Sequence, residues 1–268
     1  MFRGLAEGSG RPWEVRMQRR EVVVDGARMV GWRAGHAAGM PVVCVHGAGV
    51  SSRELRPLVA ALGGAVRAWT VDLPGFGQSG KPSRPLELVG LSDALAGWMA
   101  AEEISGACLV GCSFGCQLAV DVAVRHPELA GALVLAGPTV DAAARSWPKL
   151  VWRWARNSVR EDPRMAPLNI ADYRDAGMRR VLSSFATAMR DRIEDKLPYV
   201  GVPALVVRGE YDRLVPREWA EEVTRKLPRG RLVVLPGLPH MIPFKDPGAL
   251  VPLIAQLVRD GVPVVRHG

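Results

Sequence analysis

No segment of this chain approaches the roughly 18 uncharged, apolar residues that a membrane-spanning helix needs, so no span is expected. Aromatic residues are scarce at 6%, and only four of the 268 residues are cysteine. No internal repeat or low-complexity tract interrupts the sequence. A disulfide framework belongs to short, cysteine-dense secreted chains, and Cys44, Cys108, Cys112 and Cys116 do not provide one. Cys112 and Cys116 also lack the spacing and the His/Cys neighbours of a zinc site, so no metal is expected. The four thiols read as small apolar groups, Cys112 being the one placed for oxidation sensitivity beside a candidate nucleophile. The first 20 residues carry Arg and Gly but no apolar core and do not read as a secretory signal, so a loosely ordered arm over 1–20 and a cytoplasmic protein are expected. A nucleic-acid-binding motif is missing too. The formal charge is +8 and the pI near 9.8, but the arginines are dispersed, dense only over 16–20 and 145–160. Such a surface favours anionic substrates or simply keeps the protein soluble, and no nucleic-acid partner is expected.

What the chain does have is a regular alternation of apolar strand-like runs with helical ones, which indicates a parallel sheet covered on both faces. Residues 21–25 and 28–33 read as a hairpin closed by Asp25-Gly26. Strand-like runs follow at 41–45, 67–71, 107–110 and 132–136, then over 203–212, ending in a Gly-containing turn with Asp212, and over 231–240, with His240 in the loop that follows. Helices are expected from near Ser52, whose hydroxyl can cap one, over 91–101, and over 247–259. The alternation stops between Pro138 and Leu197. There Trp147, Leu150, Val151 and Trp154 fall at i, i+3, i+4 and i+7, and Met178, Val181, Leu182, Phe185 and Met189 form a second helical stripe. A helical insertion over 138–198 is expected between two core segments, 21–137 and 199–268.

Gly111-Cys112-Ser113-Phe114-Gly115 is a G-x-S-x-G pattern with an apolar strand before it and a helix after it, ended by Pro127. A serine on that sharp turn must take strained backbone angles, which small flanking residues permit. Its hydroxyl is lifted clear of the sheet, and the Phe114 amide points from a helix N-terminus. A serine is a weak nucleophile until a base takes its proton, and the base needs an orienting acid. Asp212 and His240 each follow a strand, in the chain order Ser, Asp, His, and in loops at the carboxyl ends of strands where open parallel sheets bind ligands. Ser113, Asp212 and His240 are therefore the candidate catalytic residues. His46-Gly47-Ala48 follows the strand at 41–45, so the amides of Ala48 and Phe114 are the candidate oxyanion hole, with His46 shaping the loop.

On His46-Gly47, Asp72-Leu73-Pro74-Gly75-Phe76-Gly77-Gln78-Ser79, Gly111 to Gly115, Asp212 and His240, the chain resembles the α/β-hydrolase superfamily from about residue 20 onward. The resemblance implies a mostly parallel eight-stranded sheet with helices on both faces and a helical cap after the sixth strand. It implies acyl transfer to water through a covalent serine intermediate, with no cofactor. Serine at 113 argues against the dehalogenase and epoxide hydrolase branches, which use aspartate there. A carboxylesterase or lactonase acting on a moderately sized apolar or aryl small-molecule ester is the first expectation, in a monomer or homodimer. Trp147, Trp154 and Met241 are the expected substrate contacts. The alternative is a carbon–carbon bond hydrolase of the meta-cleavage type. That branch often carries Trp after the catalytic histidine, where this chain has Met241, and needs a cationic cap residue, for which Arg174, Arg179 and Arg180 are candidates. A catalytically inactive binding protein on the same scaffold is the reading from another class.

Overall fold

The strand-like runs pair into one sheet because most are too apolar to face water on either side. The structure, a computed structural model, describes residues 17–36 and 38–260. In chain order it contains β1 (Gln18–Val24), β2 (Ala27–Ala34), β3 (Val42–Val45), α1 (Arg56–Leu62), β4 (Ala68–Asp72), α2 (Leu88–Ala101), β5 (Ala107–Cys112) and α3 (Phe114–Arg125). After β6 (Ala130–Ala136) come α4 (Trp147–Ser158), α5 (Met165–Ala176), α6 (Met178–Arg190) and α7 (Ile193–Lys196). The chain then returns through β7 (Ala204–Gly209), α8 (Arg217–Lys226), β8 (Gly230–Leu235), α9 (Ile242–Lys245) and α10 (Pro247–Asp260). The eight strands are ordered β1-β2-β4-β3-β5-β6-β7-β8, with only the β1–β2 and β2–β4 pairings antiparallel.

Period-2 alternation in the central strands sends their side chains to two separate cores. Val43, Val45, Leu109 and Val206 join Leu95 and Trp98 of α2, Leu118 of α3 and Trp219 of α8 on one face. Cys44, Cys108, Val110 and Val207 join Leu58 of α1 and Ile254 of α10 on the other. The four cysteines are free and buried, and burial pushes their thiols well up, so they pack as apolar groups.

Two local expectations shift. The hairpin turns at Asp25 (φ 47°) and Gly26 (φ 76°), the two left-handed residues of a tight primed turn. Its first strand, however, starts at Gln18 opposite Arg33, so the last residues of the expected arm are sheet; residues 1–16 of that arm lie outside the described residues. The cap of the single turn Ser52–Glu54 that precedes α1 is Ser51, whose hydroxyl accepts from the Arg53 amide at 3.4 Å, whereas Ser52 Oγ has no hydrogen-bond partner among the described residues. Ser51 alone has the extended backbone that an N-cap needs (φ −128°, ψ 177°).

Between β6 and β7 the chain forms α4 to α7, and α4 packs less than its stripe suggests. Trp147, Val151 and Trp154 are 43%, 57% and 46% exposed, and Asn157 is the buried residue of α4. The arginines of this stretch are held singly: Arg145 by Glu194, Arg153 by Asp141 at 2.5 Å, and Arg160 over the Tyr211 ring. Among the described residues, no helix is long and apolar enough to cross a membrane.

Candidate active site

The turn from β5 into α3 requires its small residues. Ser113 sits at φ 55° and ψ −120°, a left-handed conformation that side chains rarely adopt. A Cβ on Gly115 would lie 2.1 Å from the Val45 carbonyl oxygen, and one on Gly111 2.5 Å from the Cys116 backbone. Only glycine lets α3 start this close to β3 and β5. The turn is locked by Ser113 N donating to Ala136 O and Cys116 N donating to Ser113 O, each at 3.0 Å. Phe114 opens α3, so its amide has no carbonyl one turn back to bond.

The loop after β3 is built by the motifs around it. His46 is fully buried; its Nδ1 donates to Gly47 O at 2.9 Å and its Nε2 accepts from Leu73 N at 3.1 Å. Burial pushes its pKa down, which matches a neutral ring with both nitrogens engaged. Asp72 accepts from Ser52 N (2.9 Å) and Gln78 N (2.7 Å), and Ser79 donates to Asp72 O (2.6 Å) while accepting from Val30 N. Asp72 to Ser79 is thus a self-bonded turn that supports the His46–Ala48 loop. The amide of Gly47 donates to Glu54 Oε1 at 2.8 Å.

Asp212 and His240 meet. Asp212 Oδ1 accepts from Leu214 N (2.8 Å) and Val215 N (2.9 Å), and Oδ2 lies 2.7 Å from His240 Nδ1. Arg208 clamps the same loop by donating to Val215 O and Asp212 O. Gly137 passes against the imidazole, where a Cβ would stand 2.7 Å from the ring. Burial alone would lower the His240 pKa, but the Asp212 carboxylate, reinforced by Glu161 and Glu54, turns the net shift upward. His240 Nε2 is buried and has no hydrogen-bond partner among the described residues, and Ser113 Oγ rests 3.3 Å from Thr139 Oγ1.

Ser113, His240, Gly47 and Ala48 line one cavity of about 580 Å³ whose remaining walls come largely from the insertion. Of the three expected substrate contacts, Trp154 and Met241 line it and Trp147 does not. Trp147 shares a face with Trp154 but lies two helical turns, about 10 Å, further along α4, beyond the cavity's edge. None of Arg174, Arg179 and Arg180 lines it either; Arg180 donates to Pro82 O.

The sequence reading missed a brace between the 138–198 segment and the loops that carry Asp212 and His240. Glu161 Oε1 accepts from His240 N (3.0 Å), Met241 N (3.2 Å) and Asn157 Nδ2 (2.6 Å). Asn157 Oδ1 in turn accepts from Arg213 N at 3.0 Å, next to Asp212. Two side chains four residues apart therefore hold both loops in register. Glu54 was missed as well: it is 4% exposed, and burial pushes its carboxyl up to about 8. Its one signal is that no other acid occurs between Asp25 and Asp72. Among the described residues, no group of three or more potential ligands is placed to hold a metal.

Comparison with known proteins agrees with this fold. The chain is 26% identical to a pimeloyl-[acyl-carrier protein] methyl ester esterase of Edwardsiella ictaluri, over 78% of this chain and 89% of that one. It is 29% identical to a 2-hydroxymuconate semialdehyde hydrolase of Pseudomonas sp. strain CF600, over 88% and 83%. The solved structure of a thermophilic esterase from Thermogutta terrifontis superposes with a TM-score of 0.76 at 21% identity, covering 92% of this chain and all of that one. The sequence profile of the alpha/beta hydrolase family matches residues 42–253, and the chain belongs to that family.

Proposed function

We propose that the protein is a serine hydrolase cleaving carboxylic esters through Ser113, His240 and Asp212. The observation that carries this reading is the His240 ring. One nitrogen is fixed on Asp212, and the other is buried without a partner beside the cavity that Ser113 also lines. A buried, unpaired nitrogen calls for an explanation, and on a cavity wall shared with Ser113 a base awaiting the serine proton supplies one. In this reading the Ser113 hydroxyl, now 3.3 Å from Thr139 Oγ1, turns to that nitrogen when substrate is bound. With the Nδ1 proton held by Asp212, Nε2 carries the lone pair and takes the serine proton as Oγ attacks the ester carbonyl. The amides of Ala48 and Phe114 hold the oxyanion, a contribution of about 3 kcal/mol per donor. His240 then protonates the departing alcohol and activates the water that releases the acid. Residues 138–198 act as a cap that keeps bulk water from the acyl-enzyme.

The relative from Pseudomonas favours a second reading, a carbon–carbon hydrolase with an anionic substrate. Against it, no Lys or Arg lines the cavity among the described residues, so a substrate carboxylate has no counter-ion there. A fluorophosphonate probe tests the ester reading. Mass spectrometry is expected to find it on Ser113 in the native chain and absent from a folded His240→Ala variant. An unmodified Ser113 in the native chain overturns the reading.

The brace has its own signature. Glu161 is a positioning residue whose carboxylate also favours the charged imidazole. Removing that charge in Glu161→Gln lowers the His240 pKa, so the acid limb of the kcat/KM profile shifts to lower pH, with kcat reduced about tenfold. A purely structural Glu161 would lower activity and leave the limb where it was.

A further inference from the structure

We infer that the cavity over Ser113 selects esters bearing an ammonium group and rejects esters bearing a carboxylate, with Glu54 as the anchor of the cation. The inference rests on the ester-hydrolase reading and specifies its substrate class. Three carboxylates line the cavity, Glu54, Glu161 and Asp162, and they differ in what they have left to offer. Asp162 is matched by Arg164 at 2.7 Å, with Lys245 at 3.9 Å. Glu161 is occupied by amide donors from Asn157, His240 and Met241. Glu54 spends Oε1 on the Gly47 amide, while Oε2 has no hydrogen-bond partner among the described residues.

Its sequence neighbour is an arginine, yet that arginine does not serve it. Arg53 is committed to Asp172 at 2.5 Å and Asp175 at 3.0 Å. No Lys or Arg among the described residues pairs with Glu54, and burial, which favours the protonated form, lifts its carboxyl to about 8 against the opposing pull of His240. An ammonium group in the cavity would replace the proton as the partner. The rings of Tyr173, Phe185 and Trp154 line the same space and suit a weakly hydrated quaternary cation. His240 Nε2, buried and unpaired among the described residues, lies on the wall of the same cavity, so the ammonium site and the reacting groups share one space. A carboxylate in the same place would meet Glu54 and Glu161, and no Lys or Arg among the described residues lines the cavity to offset them.

Matched p-nitrophenyl esters of butyric acid, 4-trimethylammoniobutyric acid and glutaric acid (as the monoester), together with butyrylthiocholine, test this at about pH 8.5, where Glu54 is largely ionised. At least one ammonium ester is expected to exceed its neutral counterpart in kcat/KM by about tenfold, and the glutarate to fall about tenfold below the butyrate. Glu54→Gln keeps the acceptor for the Gly47 amide and should bring the cationic-to-neutral ratio toward one. A cleaved butyrate with flat ratios overturns the selectivity alone. A second measurement does not depend on catalysis. Butyltrimethylammonium at about ten times its Kd should raise the unfolding midpoint by about 3 °C in the wild-type chain and not in Glu54→Gln, and butyrate should not raise it. Equal effects of the two ions would also sink the proposal, whether or not any ester is turned over.

Discussion

Asp212→Asn is expected to lower kcat by about 10⁴-fold while leaving the fold within about 1 kcal/mol of wild type. The size of the loss follows from the way the carboxylate is committed. Oδ1 accepts two amides, from Leu214 and Val215, at 2.8 and 2.9 Å. An asparagine must therefore put its carbonyl oxygen there, because its NH2 group would face two donors. That choice turns the NH2 toward His240 Nδ1, at the position where Oδ2 now lies 2.7 Å away. Nδ1 is forced to accept, the ring proton moves to Nε2, and the nitrogen facing Ser113 has no lone pair to offer. The loop itself keeps its hydrogen bonds, and Arg208 still grips the Asp212 and Val215 carbonyls. Steady-state kinetics with a neutral ester, together with the imidazole tautomer by NMR, check this. A variant retaining more than about a tenth of wild-type kcat would remove Asp212 from the orienting role.

The parts of this molecule that were legible in the sequence are those where one residue type alone satisfies a backbone constraint. Gly111 and Gly115 are fixed by approaches of 2.5 and 2.1 Å, so a pentapeptide pattern is enough to place the turn. The alternating strands were legible because each side chain must join one of two cores. What remained hidden depends on contacts between segments remote in the chain. Glu161 lies some 80 residues from His240, and Asn157 some 56 from Arg213. Neither stands in a local pattern. Trp147 shows the opposite error: helical spacing correctly puts it on the face of Trp154, but spacing carries no information about where along the helix axis a cavity ends. The overall charge is also no guide to the lining of the cavity. The chain as a whole is basic, yet the space beside Ser113 is lined by carboxylates, because its arginines are spent on pairs elsewhere.

Ser113→Gly is expected to stabilise the protein while abolishing turnover, a combination that an ordinary core serine would not give. At φ 55° and ψ −120° the serine occupies the mirror image of a relaxed extended conformation. That region is comfortable only for glycine, and holding another residue in it costs on the order of 1–3 kcal/mol. Glycine returns roughly 0.5–1 kcal/mol of this through its greater chain entropy when unfolded. The side chain it removes makes one long contact, 3.3 Å to Thr139, so little else is lost. The net gain is about 1 kcal/mol, or about 2–4 °C in a domain of this size. Ser113→Ala is the control, since it keeps the strained backbone and should melt with the wild type. Both variants should lose about 10⁶-fold in kcat on p-nitrophenyl esters, because neither leaves an oxygen for His240 to activate. Paired melting curves would separate strain held for reactivity from a turn that is merely tight. A glycine variant melting below the alanine variant would mean that the backbone at 113 stores nothing for the serine to use.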